Sequence, residues 1–102
     1  MNVKKYINRT VTYKAIFTYE DGYVLVHFPD YNATTDGKDF KDAFDMAIDL
    51  LELLYMYREE CGEEQPDISG LDDVTCKDNQ QIVGIPINLE IAYNNYVKRN
   101  NL

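Results

Sequence analysis

The chain has no tryptophan, only two cysteines and a single histidine. Cys61, Cys76 and His27 are three nitrogen or sulfur ligands at unrelated spacings, and a structural zinc takes about four. In a reducing cell the two cysteines read as plain thiols. No apolar run approaches the roughly 20 residues that span a bilayer. The first residues, Met1-Asn2-Val3-Lys4-Lys5-Tyr6, have no apolar stretch behind the lysines, so a signal peptide is not expected. By elimination the expected location is cytoplasmic, away from membranes. There is no glycine-rich phosphate loop and no serine or cysteine nucleophile with a visible partner, so neither a cofactor nor a catalytic set is expected. Basic residues are scarce as well: 10 Lys and Arg stand against 18 Asp and Glu, a formal charge of −8. Nucleic-acid backbones repel such a chain unless it hides a basic patch. Only Lys4, Lys5, Arg9 and Lys14 form a basic segment, so direct DNA binding is not expected. A basic protein partner fits the total better, while acidity that serves solubility alone stays open as an alternative.

What is present suits one globular domain over residues 1–102, with residues 1–10 as an irregular lead-in. Thr10 to Tyr19 alternate, with Tyr13, Ala15, Phe17 and Tyr19 on one face, which predicts a strand. Glu20-Asp21-Gly22 supplies a hairpin turn. Tyr23 to Phe28 is apolar at almost every position and is expected as a central strand covered on both faces. Pro29 ends it, and a short third strand runs through Ala33-Thr34-Thr35 to Gly37. Then the period changes. Asp39 is a helix N-cap with Asp42 at the third helical position. Phe40, Ala43, Ala47, Leu51 and Leu54 form the expected core stripe of a helix from Phe40 to Cys61, which Gly62 stops. Residues 63–81 read as a loop, including Pro66, Gly70 and Asp72-Asp73. Residues 82–87 form a strand whose Pro86 suggests an edge or an end. Asn88 caps a last helix carrying Leu89, Ala92, Tyr93, Tyr96 and Val97, with Lys98 and Arg99 at its C-terminal end. The order β-β-β-α-β-α predicts an α+β fold, a long helix packed on one face of a small, mostly antiparallel sheet.

The ordered series Tyr13-x-Ala15-x-Phe17, Asp21-Gly22-Tyr23-x-x-Val26-x-Phe28-Pro29-Asp30 and Thr35-x-Gly37-x-Asp39-x-x-Asp42-Ala43-x-x-x-Ala47 resembles the HicB-like antitoxins of type II toxin–antitoxin systems. Pro66-Asp67-Ile68-Ser69 and Ile85-x-Ile87-Asn88-Leu89 fit the second half of that family more loosely. The resemblance implies a partial ribonuclease-H-like fold. It also implies a partner, a small basic HicA-like RNA-cleaving toxin that the chain neutralises by occluding it, and assembly as a homo-dimer or higher oligomer. Three departures matter. Tyr31-Asn32-Ala33 replaces a longer Pro-Gly-Cys segment, which puts the local loop shape in question. Asp39 stands where threonine is common. The chain ends at Leu102, where many members begin a DNA-binding tail, so no such extension is expected.

Two surfaces of the long helix carry the partner expectations. At about 100° per residue, Asp42, Asp45, Asp49 and Glu52 crowd one side together with Glu59 and Glu60. They are candidates for contact with a basic partner, or a merely solvated face. Lys41 can pair with Asp45. Met46, Leu50, Leu53 and Tyr57 widen the apolar arc beyond what one sheet needs. Their cover is either the chain's own loop or last helix, or a second copy in self-association. Tyr6, Tyr31, Tyr55, Tyr57, Tyr93 and Tyr96 are further interface candidates or half-buried core edges. A solitary regulatory or structural oligomer with no toxin is the alternative function. A residual metal-dependent nuclease is the least favoured reading, because the first strand offers no buried carboxylate to a metal; only Asp30 and Asp36 lie at strand ends. His27, beside Tyr23 and Leu25, reads as a hydrogen-bonded strand histidine before a base or ligand. Labelled RNA incubated with the protein and magnesium or manganese is expected to stay intact; cleavage that disappears on Asp30→Asn would establish the nuclease instead.

Overall fold

Alternation of apolar and polar residues builds the sheet. The structure, a computed structural model, describes residues 2–68 and 76–100. Strands β1 (Thr10–Glu20), β2 (Tyr23–Phe28), β3 (Ala33–Gly37) and β4 (Gln80–Asn88) form one sheet in the order β3-β2-β1-β4. All three pairings are antiparallel, so the expected mostly antiparallel sheet is wholly so. Helices α1 (Phe40–Cys61) and α2 (Leu89–Asn100) complete the α+β order β-β-β-α-β-α. The register sets Phe17 opposite Val26, and Tyr13 opposite Ile85. The inner face thereby gathers Tyr13, Ala15, Phe17, Val24, Val26, Phe28, Ile85 and Ile87, all buried. No helix among the described residues is long and apolar enough to cross a membrane. Ser69, Gly70 and Asp72-Asp73 lie outside the described residues.

β2 corrects the sequence reading. Val24, Val26 and Phe28 are buried, but Tyr23 is 45% exposed and Leu25 38%. The strand is interior in the sheet, yet no described element lies over its outer face. Among the described residues its apolar run is therefore covered on one side only.

α1 starts where expected. Asp39 Oδ1 accepts from the Asp42 amide at 2.8 Å, and Asp42 Oδ2 accepts from the Lys38 amide at 2.9 Å. Each carboxylate satisfies an amide at the helix start and favours the positive end of the dipole. Gly62 ends the helix at φ +71°, with its amide directed at the Arg58 and Glu59 carbonyls. Between these caps the buried stripe is Ala43, Ala47, Leu51 and Tyr55, joined by Glu52 and Met56. Two expected core residues are not in it. Phe40 is 43% exposed, its ring 5.5 Å from Phe17 and 6.0 Å from Phe44, and Leu54 is half-buried. The helix packs against α2 as well as the sheet, which turns the buried arc toward Glu52 and Met56.

The two layers approach each other tightly at Gly37, the last residue of β3. A Cβ there would lie 2.3 Å from the Ala43 amide nitrogen and 2.6 Å from its Cα. Only hydrogen fits. After Phe28 the chain turns tightly, Asn32 donating to the Pro29 carbonyl at 3.3 Å with φ +50°. That turn defines the loop whose shape the Tyr31-Asn32-Ala33 departure left open.

The N-terminus also differs from expectation. Within the segment expected as an irregular lead-in, Val3–Tyr6 is a 3-10 turn capped by Asn2, and Tyr6 is 1% exposed against Tyr93, ring centroids 5.5 Å apart. At the other end β4 passes directly into α2, and Asn88 Oδ1 accepts from the Ile91 amide at 3.0 Å. α2 buries Leu89, Ala92 and Tyr96, and Pro86 does lie on an edge strand. Substituting Gly37→Ala is expected to cost about 3 kcal/mol, at the upper end of overpacking penalties, because backbone must move to admit the methyl. Urea unfolding checks it; a loss well under 1 kcal/mol would mean that the layers are looser than described.

Candidate partner-binding surface

The solvent face of α1 is the most distinctive exposed surface. Met46, Leu53 and Tyr57 are 40%, 37% and 57% exposed, and Leu50 beside them is half-buried against the core. At about 100° per residue the four fall within about 60° of arc, a continuous apolar strip. α2 meets α1 at Glu52 and Glu60 and borders the strip at Leu53, while Met46 and Tyr57 stay exposed. Asp45, Asp49 and Glu60 border one side of the strip.

The four acidic candidates separate. Asp45 is exposed and paired with Lys41 at 3.2 Å, and Asp49 is exposed. Asp42 is half-buried and engaged at the helix start. Glu52 is 8% exposed, and its Oε1 accepts from Asn95 Nδ2 at 3.1 Å. Burial raises the Glu52 carboxyl above the ordinary range, the nearby Asp49 adds to this, and the Asn95 hydrogen bond opposes it. It lies in a narrow crevice lined by Leu53, Asn95, Tyr96 and Arg99. Sequence reasoning set Glu52 on the acidic stripe because α2 could not be positioned from periodicity.

The tyrosines separate too. Tyr6, Tyr55 and Tyr96 are buried, Tyr31 and Tyr93 half-buried, and Tyr57 alone of the six interface candidates is exposed. Tyr96 donates to Glu60, which pushes its phenol up to about 12, with burial adding to the shift. Burial also raises the phenols of Tyr6, Tyr13, Tyr31 and Tyr55.

Beneath this surface is a polar network that sequence reasoning missed. Glu59 accepts from Tyr6 Oη at 3.0 Å, Lys5 Nζ at 3.0 Å and Gln65 Nε2 at 3.1 Å. Gln65 also donates to the Tyr55 carbonyl at 2.8 Å and accepts from Tyr31 Oη at 2.7 Å. Tyr13 Oη donates to the Pro66 carbonyl at 2.7 Å, and Tyr13 meets Tyr31 edge to face at 5.1 Å. The Arg58 guanidinium lies 5.4 Å from the Tyr31 ring. Burial alone would raise the Glu59 carboxyl, but the hydrogen bonds from Gln65, Lys5 and Tyr6 outweigh it and hold it below the ordinary carboxylate range. The partners of Glu59 come from positions far apart in the chain, so no local pattern signals them.

His27 is half-buried on the outer sheet face, opposite Ile16 and Thr34. Asp36, opposite Leu25, shares that face, and Asp30 lies in the turn after β2. Among the described residues no group of three or more His, Cys, Asp or Glu is arranged to hold a metal ion. Cys61 and Cys76 are free thiols.

These features define a small α+β protein with one helical layer, a sheet face that is bare among the described residues, and an apolar strip bordered by acids. The fold is similar to that of a chain in a structure described as a toxin–antitoxin complex from Streptococcus pneumoniae, with a TM-score of 0.73 and 23% identity over 81% of this chain and 72% of that chain. At that identity the likeness is one of fold. No protein-family model and no curated protein matches the chain.

Glu59 and Glu52 should report opposite pH signatures. A carboxyl held low in the folded state adds stability above its unfolded pKa and loses it as pH falls through the folded value; a raised one does the reverse. Glu59→Gln is expected to lose about 1–2 kcal/mol near pH 7, the deficit shrinking toward about pH 3. Glu52→Gln keeps the acceptor for Asn95 and should match or exceed the parent near pH 7, any gain vanishing on acidification. Urea unfolding across that range decides, and a Glu59→Gln protein of unchanged stability at neutral pH would remove the network from the account.

Proposed function

We propose that this chain is an antitoxin-like binding protein that neutralises a small basic RNA-cleaving toxin of the HicA type by occluding it. The observation that carries the reading is the apolar strip of α1, Met46, Leu50, Leu53 and Tyr57, with Asp45 and Asp49 along its border. A buried apolar centre with a charged rim is the usual build of a protein interface. Affinity comes from the aromatic and aliphatic anchors, and the acids speed encounter with a basic partner and select for it. The net charge of −8 supports this, as does the fold likeness to a chain from a complex named as toxin–antitoxin. The ordered motifs from Tyr13 to Ala47 support the HicB-like assignment within that class. Asp45 and Asp49 are the charge complements; Asp42 serves the helix start, and Glu52 acts beneath the surface through α2.

The second reading is a homo-oligomer without a toxin, and the 4-3-4 spacing of Met46, Leu50, Leu53 and Tyr57 favours it, because that is the spacing of a helix–helix seam. Two copies packed antiparallel along this seam would set Asp45 and Asp49 of one against Glu60 of the other. That repulsion favours a basic occupant here over a second copy.

The test is a tagged pull-down from the native cells read by mass spectrometry, followed by reconstitution. A small basic protein is expected in stoichiometric amount, cleaving RNA alone and silenced by this chain. Asp45→Lys with Asp49→Lys should weaken that complex about tenfold or more at low salt, chiefly through slower association. Recovery of this chain alone as a discrete oligomer would overturn the toxin reading in favour of the second.

A further inference from the structure

The apolar strip of α1 has two unlike borders. At about 100° per residue, Asp42, Asp49 and Glu60 lie about 50–70° to one side of its midline, and Ala43, Leu54 and Cys61 lie at the matching angles on the other. One border is therefore acidic, and the other carries no charge. The two cations of the helix stand farther round and are engaged. Lys41 Nζ lies 3.2 Å from Asp45. Arg58 meets Glu63 at 3.8 Å, donates to the Glu64 carbonyl at 3.0 Å and lies over the Tyr31 ring.

The acids differ in what holds them. Asp42 accepts from the Lys38 amide at the helix start, and Glu60 accepts from Tyr96. Asp49 is exposed at the middle of the strip, next to Leu50 and within one turn of Met46 and Leu53. It flanks the seam where paired helices carry the charges that select a partner. Asp45, one turn earlier, is exposed as well.

Spacing fixes the form of the occupant. Met46, Leu50, Leu53 and Tyr57 follow one another at 4-3-4 steps. Such a row stays aligned against a second helix, whereas the side chains of an extended strand repeat every two residues and drift off it.

We propose that the strip receives one amphipathic helix of a basic partner, packed lengthwise on α1. Its apolar residues, at the same steps, lie against Met46, Leu50, Leu53 and Tyr57. Lys or Arg occupies one flank only, facing Asp45 and Asp49, and the other flank is apolar beside Leu54. This rests on the reading of the strip as a partner surface and adds the element that fills it. The strip spans about 16 Å, so the occupant needs about three to four turns. A free peptide of that length is barely helical in water, so the helix arrives as part of a folded partner. A second copy fits less well, since its α1 brings the same acids and its Lys41 and Arg58 are already engaged. A nucleic-acid backbone is repelled by the acidic border.

The test uses two synthetic helical peptides of ~21 residues, stapled on the outer face to hold the helix. Both carry a leucine seam at alternating steps of three and four, and they differ only in one flank, all Lys or all Glu. Binding to the full chain is followed by fluorescence anisotropy and by NMR shift mapping. The Lys peptide is expected to bind about tenfold or more tighter than its Glu twin at low salt, the gap closing near ~0.5 M salt. Its shifts should centre on Met46 to Tyr57. Asp49→Lys should erase the preference, and Tyr57→Glu should weaken the Lys peptide about tenfold, each with native circular dichroism. Equal affinities, or shifts centred on the sheet, would overturn the helix assignment. So would shifts at the strip on concentrating the chain alone, which would give it to a second copy. The peptides need no toxin, so failure here leaves the toxin reading to the pull-down.

Discussion

The contact between Gly37 and the first turn of α1 is the constraint on which the rest of the structure depends. It brings helix backbone to within a hydrogen atom's reach of the sheet, with Ala43 and Ala47 continuing the thin seam along the helix. Farther along the helix the buried residues are larger, Leu51, Tyr55 and Met56. The Asp39 and Asp42 caps matter for the same reason: a helix that began one residue later would carry Ala43 away from Gly37.

The far end of α1 is held by different chemistry. There a polar network joins the elements. Glu59 and Gln65 tie the N-terminal turn, the β2–β3 turn and the loop after α1 to the helix. A carboxylate with several donors is stable in such a site, whereas one left unpartnered would be costly. Tight backbone packing at one end and a satisfied ionic hub at the other hold α1 at both ends. A helix so held presents its apolar strip already formed, which lowers the ordering cost of binding.

Much of this was legible in the residues. The caps of α1, the Asp21-Gly22 hairpin, the edge character of the Pro86 strand and the Asn88 cap of α2 each depend on neighbours within a few positions, so local pattern sufficed. What failed depends on distance in space. β2 was expected under cover on both sides because its composition says apolar without saying how many layers the chain can supply. Phe40 and Leu54 were assigned to the core, and Glu52 to the surface, because helical periodicity gives an arc but not its orientation once a second helix competes for it. Tyr6 and Glu59 left no local signal at all, since their partnership spans most of the chain.

The tyrosines carry a further consequence. Several phenols are folded away with their pKa raised, by burial at Tyr6, Tyr13, Tyr31 and Tyr55 and by the neighbouring carboxylate at Tyr96. A phenol raised in the folded state adds stability below its unfolded pKa, near about 10, and withdraws it as pH climbs through the folded value. Deprotonation is then coupled to opening, and each phenolate released deepens a charge that is already strongly negative. The protein thus has an alkaline ceiling set by hydroxyl groups. The part of the tyrosinate absorbance that these buried phenols contribute would then rise together with unfolding, an intrinsic indicator of the intact fold.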